Sequence, residues 1–142
     1  MFIYDRAVQA EDVLGILNRL DAAGIEWWVD GGWGVDALLG KQTRDHRDLD
    51  LGVSMSDVPR VEQQLSEFHR IETGEWPRFL VLEDARGRRV DLAITAPAGR
   101  PVLSRGQIGH RDVRCPSLEY QFEHARGDDA AALRDGFGSP GS

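Results

Sequence analysis

The spacing of apolar and polar positions divides the chain into alternating helical and extended stretches. Val13, Leu14, Leu17 and Leu20 recur at helical intervals, acidic residues open the first turn and Gly24 follows. This predicts a helix over 11–23. Ile25 to Val29 is a short apolar run that reads as a strand, broken by Gly31 and Gly32. Val35 to Leu39 reads as a short buried helix, closed by Gly40 in the left-handed conformation. Leu49 to Val53 reads as the next strand. Val58, Val61, Leu65 and Phe68 then predict a second long amphipathic helix, N-capped by Ser56 with Pro59 in its first turn. Phe79 to Glu83 and Arg89 to Ile94 read as two strands joined by the turn 84–88, which carries Gly87. Pro97 to Pro101 reads as a loop. Residues 106–114 read as polar and irregular, with at most a short edge strand. Ser117 caps a helix running to Ala125, and 128–134 add a last helical turn or two. Residues 136–142 are rich in Gly, Ser and Pro and read as a disordered tail. The expectation is an α/β (α+β) chain with one domain over 1–135 and no internal repeat.

The period of two along the strands sorts candidate chemistry from core. In Asp48-Leu49-Asp50-Leu51 the aspartates share one face and the leucines the other. Strand propensity disfavours two aspartates, so the pair asks for another explanation. Adjacent carboxylates repel unless they are protonated or bridged by a cation. A hard divalent cation with oxygen ligands, Mg²⁺ foremost, meets that need. Asp91 likewise alternates with Val90, Leu92 and Ile94. Upstream, Gly31 and Gly32 let backbone approach a ligand closely, and the helix after them offers a positive N-terminus to an anion. Thr43, Arg44 and His46 add donors before the aspartate strand, and the Arg44 guanidinium has the geometry to contact triphosphate oxygens. Asp36 reads as a capping or solvent-facing residue. Trp33, directly after the glycines, is a candidate to stack on a base or wall a pocket, whereas Trp27 and Trp28 read as core.

Charge narrows the partners. A net charge of −7 and a pI near 5.0 disfavour a nucleic-acid partner, which calls for a basic surface. They suit a cationic small molecule or serve solubility alone. Cys115 is the single cysteine, so no disulfide forms within the chain, and a cytoplasmic location is consistent. Cys115 itself reads as a small buried residue. The sequence has no membrane-length apolar run, so no membrane association is expected, and its N-terminus does not read as a signal peptide.

The stretch WVDGGWGVDALLGKQTRDHRDLDL, residues 28–51, resembles the signature of the polymerase β-type nucleotidyltransferase superfamily. That signature is a glycine turn followed by an Asp-hydrophobic-Asp strand. Asp30 before the glycines, and the long spacing from the glycines to the aspartates, resemble the antibiotic-modifying branch. That branch comprises the lincosamide nucleotidyltransferases and aminoglycoside 2″-adenylyltransferases. The segment 115–121 matches it more weakly, and the match fades after His124. The resemblance implies a nucleotidyltransferase fold, with a short mixed twisted sheet and packed helices. It implies Asp48, Asp50 and Asp91 as catalytic metal ligands, with two Mg²⁺ ions. Asp91 would hold the second ion and help activate the acceptor. Gly31 and Gly32, helped by Arg44, would bind the triphosphate. The implied reaction transfers a nucleoside monophosphate, AMP from ATP first among them, to a hydroxyl of a small molecule such as an aminoglycoside or lincosamide. A homodimer is allowed. Two alternatives stand beside this reading: a non-catalytic nucleotide-binding or toxin–antitoxin partner that kept the shell, and an enzyme that modifies a protein hydroxyl.

Overall fold

A computed structural model describes residues 7–96 and 99–139. In chain order the elements are α1 (Ala10–Ala22), β1 (Trp28–Asp30), α2 (Gly31–Leu39) and β2 (Asp48–Ser54). After a 3-10 turn over Met55–Asp57 come α3 (Val58–Gln64), β3 (His69–Ile71), β4 (Phe79–Glu83) and β5 (Arg89–Thr95). The chain ends with β6 (Leu103–Ile108), β7 (Arg111–Pro116), α4 (Leu118–His124) and α5 (Gly127–Phe137). Five strands form one sheet in the order β1-β2-β5-β4-β3; β2 and β5 run parallel and the other pairs antiparallel. This is the mixed α/β sheet expected. β6 and β7 form a separate hairpin.

Register explains how the sheet separates core from site. Val29, Leu51, Leu92 and Leu80 lie side by side on adjacent strands, all buried. They join Leu17 and Leu20 of α1 and Val58 and Val61 of α3 in one apolar cluster. The hydrophobic effect holds this face, with each fully buried aliphatic side chain contributing about 1.5–3 kcal/mol. The β4–β5 turn is held by Asp84, which accepts from the N–H groups of Arg86 and Arg88. The Arg88 guanidinium then ties Asp84 to Asp12 at the start of α1.

Several boundaries differ from the sequence expectation. α3 ends at Gln64, and the long helix expected there gives way to a turn that still buries Leu65 and Phe68. Strand β3 follows, exposed at all three residues; it exists through pairing with β4, so its sequence carries no apolar alternation. Residues 106–114, expected to be irregular, belong to a regular hairpin. Gly106, Ile108, Val113 and Cys115 face inward, and polar residues that include Arg105 and Arg114 cover the outside. Gly106 is packed so closely on α2 that a Cβ would meet the backbone carbonyl of Ala37 at 2.6 Å. The last helix runs to Phe137, with Gly136 against Leu39 of α2, so the expected tail does not start at 136. Residues 140–142 of that tail, and 97–98 of the loop 97–101, lie outside the described residues.

Candidate active site

On the opposite face of the sheet, one residue along from the apolar row, lies a row of carboxylates. Asp30 of β1 pairs in register with Asp50 of β2, and Asp50 with Asp91 of β5. Asp48 lies two residues before Asp50 on the same face. Ligand oxygens of Asp48, Asp50 and Asp91 all fall within 4.8 Å of one another. Strand alternation thus brings together the three aspartates singled out in the sequence.

Their crowding is costly. Burial, then the charges of Asp48, Asp91, Asp30 and Asp129, push the Asp50 carboxyl up to about 8. Burial and the Asp48 charge push Asp91 up to about 6, with Arg89 opposing. Burial alone raises Asp30, also to about 6. Among the described residues no basic side chain forms an ion pair with Asp48 or Asp50, and Arg89 Nη2 reaches Asp91 Oδ1 only at 3.5 Å. That Oδ1 is closed off from solvent and accepts no hydrogen bond. Three converging, undercompensated carboxylates with hard oxygen donors fit a divalent cation of the Mg²⁺ type.

The glycines serve this cluster in a way their sequence did not reveal. They are the first turn of α2 itself, which begins directly after Asp30 and not at Val35. Gly31 has φ +59, and a Cβ there would fall into the Asp50 carboxylate. A Cβ on Gly32 would meet His46 Nδ1 at 2.5 Å and Arg44 Nη2 at 3.0 Å. The helix N-terminus therefore sits directly against both the aspartate-bearing strand β2 and the basic loop, as an anion site would require.

Asp36 corrects the expectation of a capping or exposed residue. It is buried, and His46 Nε2 donates to it at 2.6 Å, with Thr43 Oγ1 and N at 2.6 and 3.0 Å. Burial opposes its charge, but those donors hold its carboxyl below the usual range. This buried network fixes the loop that delivers Asp48. Trp33 is buried with its ring 4.8 Å from that of His46, and it does not wall the pocket over the carboxylate face. Trp28 does so instead: it lies on the carboxylate face, its indole covering Gly52. The signal was available, since Trp28 and Asp30 alternate as Asp48 and Asp50 do. Arg44 reaches α5, where Nη2 pairs with Asp129 at 3.0 Å. Cys115 is buried as expected, and burial raises its thiol to about 11.

Two cavities meet at Asp30, Gly31, Phe79 and Ala93. One, of about 310 Å³, lies over Asp50 and Asp91 and includes Thr73, Glu75 and Arg89. The other, of about 530 Å³, extends toward α4 and is lined by Trp28, Tyr120, Gln121 and His124.

A sheet with this acidic row beside a glycine-started helix has the architecture of a nucleotidyltransferase, and solved structures agree on the fold. A lincomycin-bound lincosamide antibiotic adenylyltransferase, LnuA, superposes with a TM-score of 0.77 at 24% identity, over 90% of this chain and 98% of that one. ANT(2″)-Ia in complex with adenylyl-2″-tobramycin superposes with a TM-score of 0.68 at 23% identity, over 89% and 87%. The model of the aminoglycoside-2″-adenylyltransferase family matches residues 12–100, and the chain belongs to that family. A lincosamide resistance protein of Staphylococcus haemolyticus is 35% identical over 86 residues, 60% of this chain and 53% of that protein. A 2″-aminoglycoside nucleotidyltransferase of Klebsiella pneumoniae is 31% identical over 117 residues, 73% and 65% respectively. The chain thus spans between about half and two thirds of the length of these curated relatives. Among the described residues, no helix is long and apolar enough to cross a membrane.

Proposed function

We propose that the protein transfers a nucleoside monophosphate, AMP from ATP in the first instance, to a hydroxyl of a small molecule of the aminoglycoside or lincosamide kind. The observation that carries this reading is the convergence of Asp48, Asp50 and Asp91 beside the N-terminus of α2. Asp48 and Asp50 would hold Mg²⁺, and Asp91 would share in holding a second ion. A divalent cation held there would supply charge neutralisation and Lewis acidity at the reacting phosphate and hydroxyl. The acceptor oxygen attacks the α-phosphorus, a new O–P bond forms, and the bond to pyrophosphate breaks. Asp91 takes the acceptor's proton. The N–H groups at the start of α2 face the phosphate oxygens, and Arg44 at the edge of that turn assists. The chain supplies alignment and charge neutralisation. The reduced Cys115 and the need for nucleoside triphosphate suit a cytoplasmic setting.

The test is a mass-spectrometric screen of aminoglycosides, lincosamides and other hydroxylated acceptors, each with Mg²⁺ and one of the four nucleoside triphosphates. An acceptor gaining a nucleotidyl mass with stoichiometric pyrophosphate is the expected result. Mg²⁺-dependent triphosphate binding without pyrophosphate release across the panel would favour a non-catalytic shell.

A further inference from the structure

The cavity over Asp50 and Asp91 has a single basic residue in its wall. Asp30, Asp50, Glu75 and Asp91 make its lining acidic, and among the described residues only Arg89 brings positive charge there. Strand register explains how Arg89 arrives. It opens β5, opposite Asp48 on one side and Glu83 on the other, two residues before Asp91. The period of two therefore sets its side chain on the carboxylate face. Among the described residues its one ion-pair partner is Asp91; neither Asp48 nor Glu83 takes it.

That pair is incomplete on both sides. Arg89 Nη2 stands 3.5 Å from Asp91 Oδ1, longer than an ordinary hydrogen bond. The Asp91 oxygen accepts no hydrogen bond, and Arg89 Nε donates none. The Arg89 side chain is 43% exposed, so packing does not lock it in this position. A loosely held guanidinium with donors to spare is free to change partners, and its fork matches the oxygens of a phosphate.

Its charge acts in two opposite ways on what enters the cavity. A positive charge beside Asp91 makes that carboxylate a poorer ligand for a divalent cation. The same charge attracts a triphosphate. Gly31, directly after β1, and Arg89, on β5, line this one cavity with β2 between them. A phosphate placed over the carboxylates from the start of α2 therefore comes toward the guanidinium.

We propose that Arg89 serves as the chain's own cation at Asp91 until substrate arrives, and then passes to a phosphate oxygen of the nucleoside triphosphate. It thereby holds the Asp91 side of the cluster against a divalent cation that comes without nucleotide, and it contacts the substrate once the two are present together. This rests on the nucleotidyltransferase reading and adds to it a substrate-contacting residue on β5.

Calorimetry on the wild type and Arg89→Met tests it, with Mn²⁺ alone and with inorganic tripolyphosphate at saturating Mg²⁺. Arg89→Met should bind Mn²⁺ alone about 10-fold more tightly than the wild type, the lower end of what one neighbouring charge does to a carboxylate. It should bind tripolyphosphate about 10-fold less tightly, the worth of one charge-assisted hydrogen bond. Arg89→Lys keeps the charge, so its Mn²⁺ affinity should stay near that of the wild type. Opposite signs for the two probes separate this role from a residue that merely braces Asp91, whose loss would weaken both. Arg89→Gln repeats the measurement if Arg89→Met does not fold. Equal or weaker Mn²⁺ binding by the variant would overturn the proposal, and so would unchanged tripolyphosphate affinity. If the wild type binds tripolyphosphate in Mg²⁺ and the variant binds it equally well, the role of Arg89 falls and nucleotidyl transfer stands. If the wild type binds neither ATP nor tripolyphosphate in Mg²⁺, both fall.

Discussion

The two faces of the central sheet are built from the same strands, one residue out of step, and they obey opposite rules. Val29, Leu51 and Leu92 form a row with essentially no solvent exposure, where each contact favours the folded state. Asp30, Asp50 and Asp91 form the next row, where burial raises all three carboxyls and neighbouring carboxylates push Asp50 and Asp91 up further. Stability comes from the first face, and the second draws on it to hold charge where water would otherwise dilute it. A strand thus separates folding from chemistry at a spacing of a single residue. The family's activity can be built onto the sheet without touching its core.

Adjacent substitutions on β5 should expose that separation most sharply. Asp91→Asn keeps the shape and removes the charge. Turnover should fall by about 10²–10⁴-fold from the lost proton transfer alone, with no loss of melting temperature. Leu92→Ala, next along, should cost about 2–5 kcal/mol of stability while each folded molecule keeps its rate. Steady-state kinetics with denaturant titration reads both. If Asp91→Asn lowered stability as much as Leu92→Ala does, the faces would not be independent.

Asp50 sharpens the comparison from the stability side. Its carboxyl titrates near 8 in the fold against an ordinary 3.8, so the folded state binds that proton more tightly than the unfolded chain. The stability this contributes is fully present below the ordinary value, declines as pH rises, and is lost above about 8. One proton sets a limit of about 1.4 kcal/mol per pH unit on the slope. In EDTA, Asp50→Asn should therefore melt higher than wild type at pH 8, by roughly 3 °C per kcal/mol recovered. Mg²⁺ should raise the wild-type melting temperature and leave the variant's nearly unchanged. A variant that melts lower at pH 8 would contradict the picture of a repulsive cluster.

How much of this was readable beforehand depended on how local the determinant is. The alternation in 48–51 and 90–94 placed three carboxylates on one face because a strand's period is set by its own backbone. The same rule applied to Trp28 and Asp30, but Trp28 reads as core, the more common role of a tryptophan, and Asp30 only as a mark of the family resemblance. Asp36 could not be placed from sequence: its partners Thr43 and His46 lie across a turn whose course only the folded loop reveals. The hairpin of β6 and β7 was hidden by its arginines, which extend over Trp27 and toward Asp21 and so cover apolar surface with charged side chains. Strand β3 had no pattern to read, since only its pairing with β4 makes it a strand. Helix α5 was underestimated because its two-sided polarity gives little periodicity, while Leu133 and the contact of Gly136 with Leu39 anchor it.

The smallest effect expected lies at the rim, where the ion pair of Arg44 with Asp129 joins the basic loop to α5. The Arg44 side chain is 40% exposed and that of Asp129 22%. Such a pair contributes about 0.2–1 kcal/mol, so Asp129→Asn should scarcely move the melting temperature. Its effect on ligand binding has a definite sign. The same carboxylate holds Arg44 and adds to the negative potential at Asp50. Removing its charge frees the guanidinium at the first turn of α2 and lessens the repulsion an incoming triphosphate meets. Tripolyphosphate and ATP should both bind slightly more tightly in Mg²⁺, and Arg44→Ala should erase the gain when combined with Asp129→Asn. A loss of affinity in Asp129→Asn alone would mean that the pair aims Arg44 at the phosphates rather than withholding it, and calorimetry on the two single variants and the double variant distinguishes these roles.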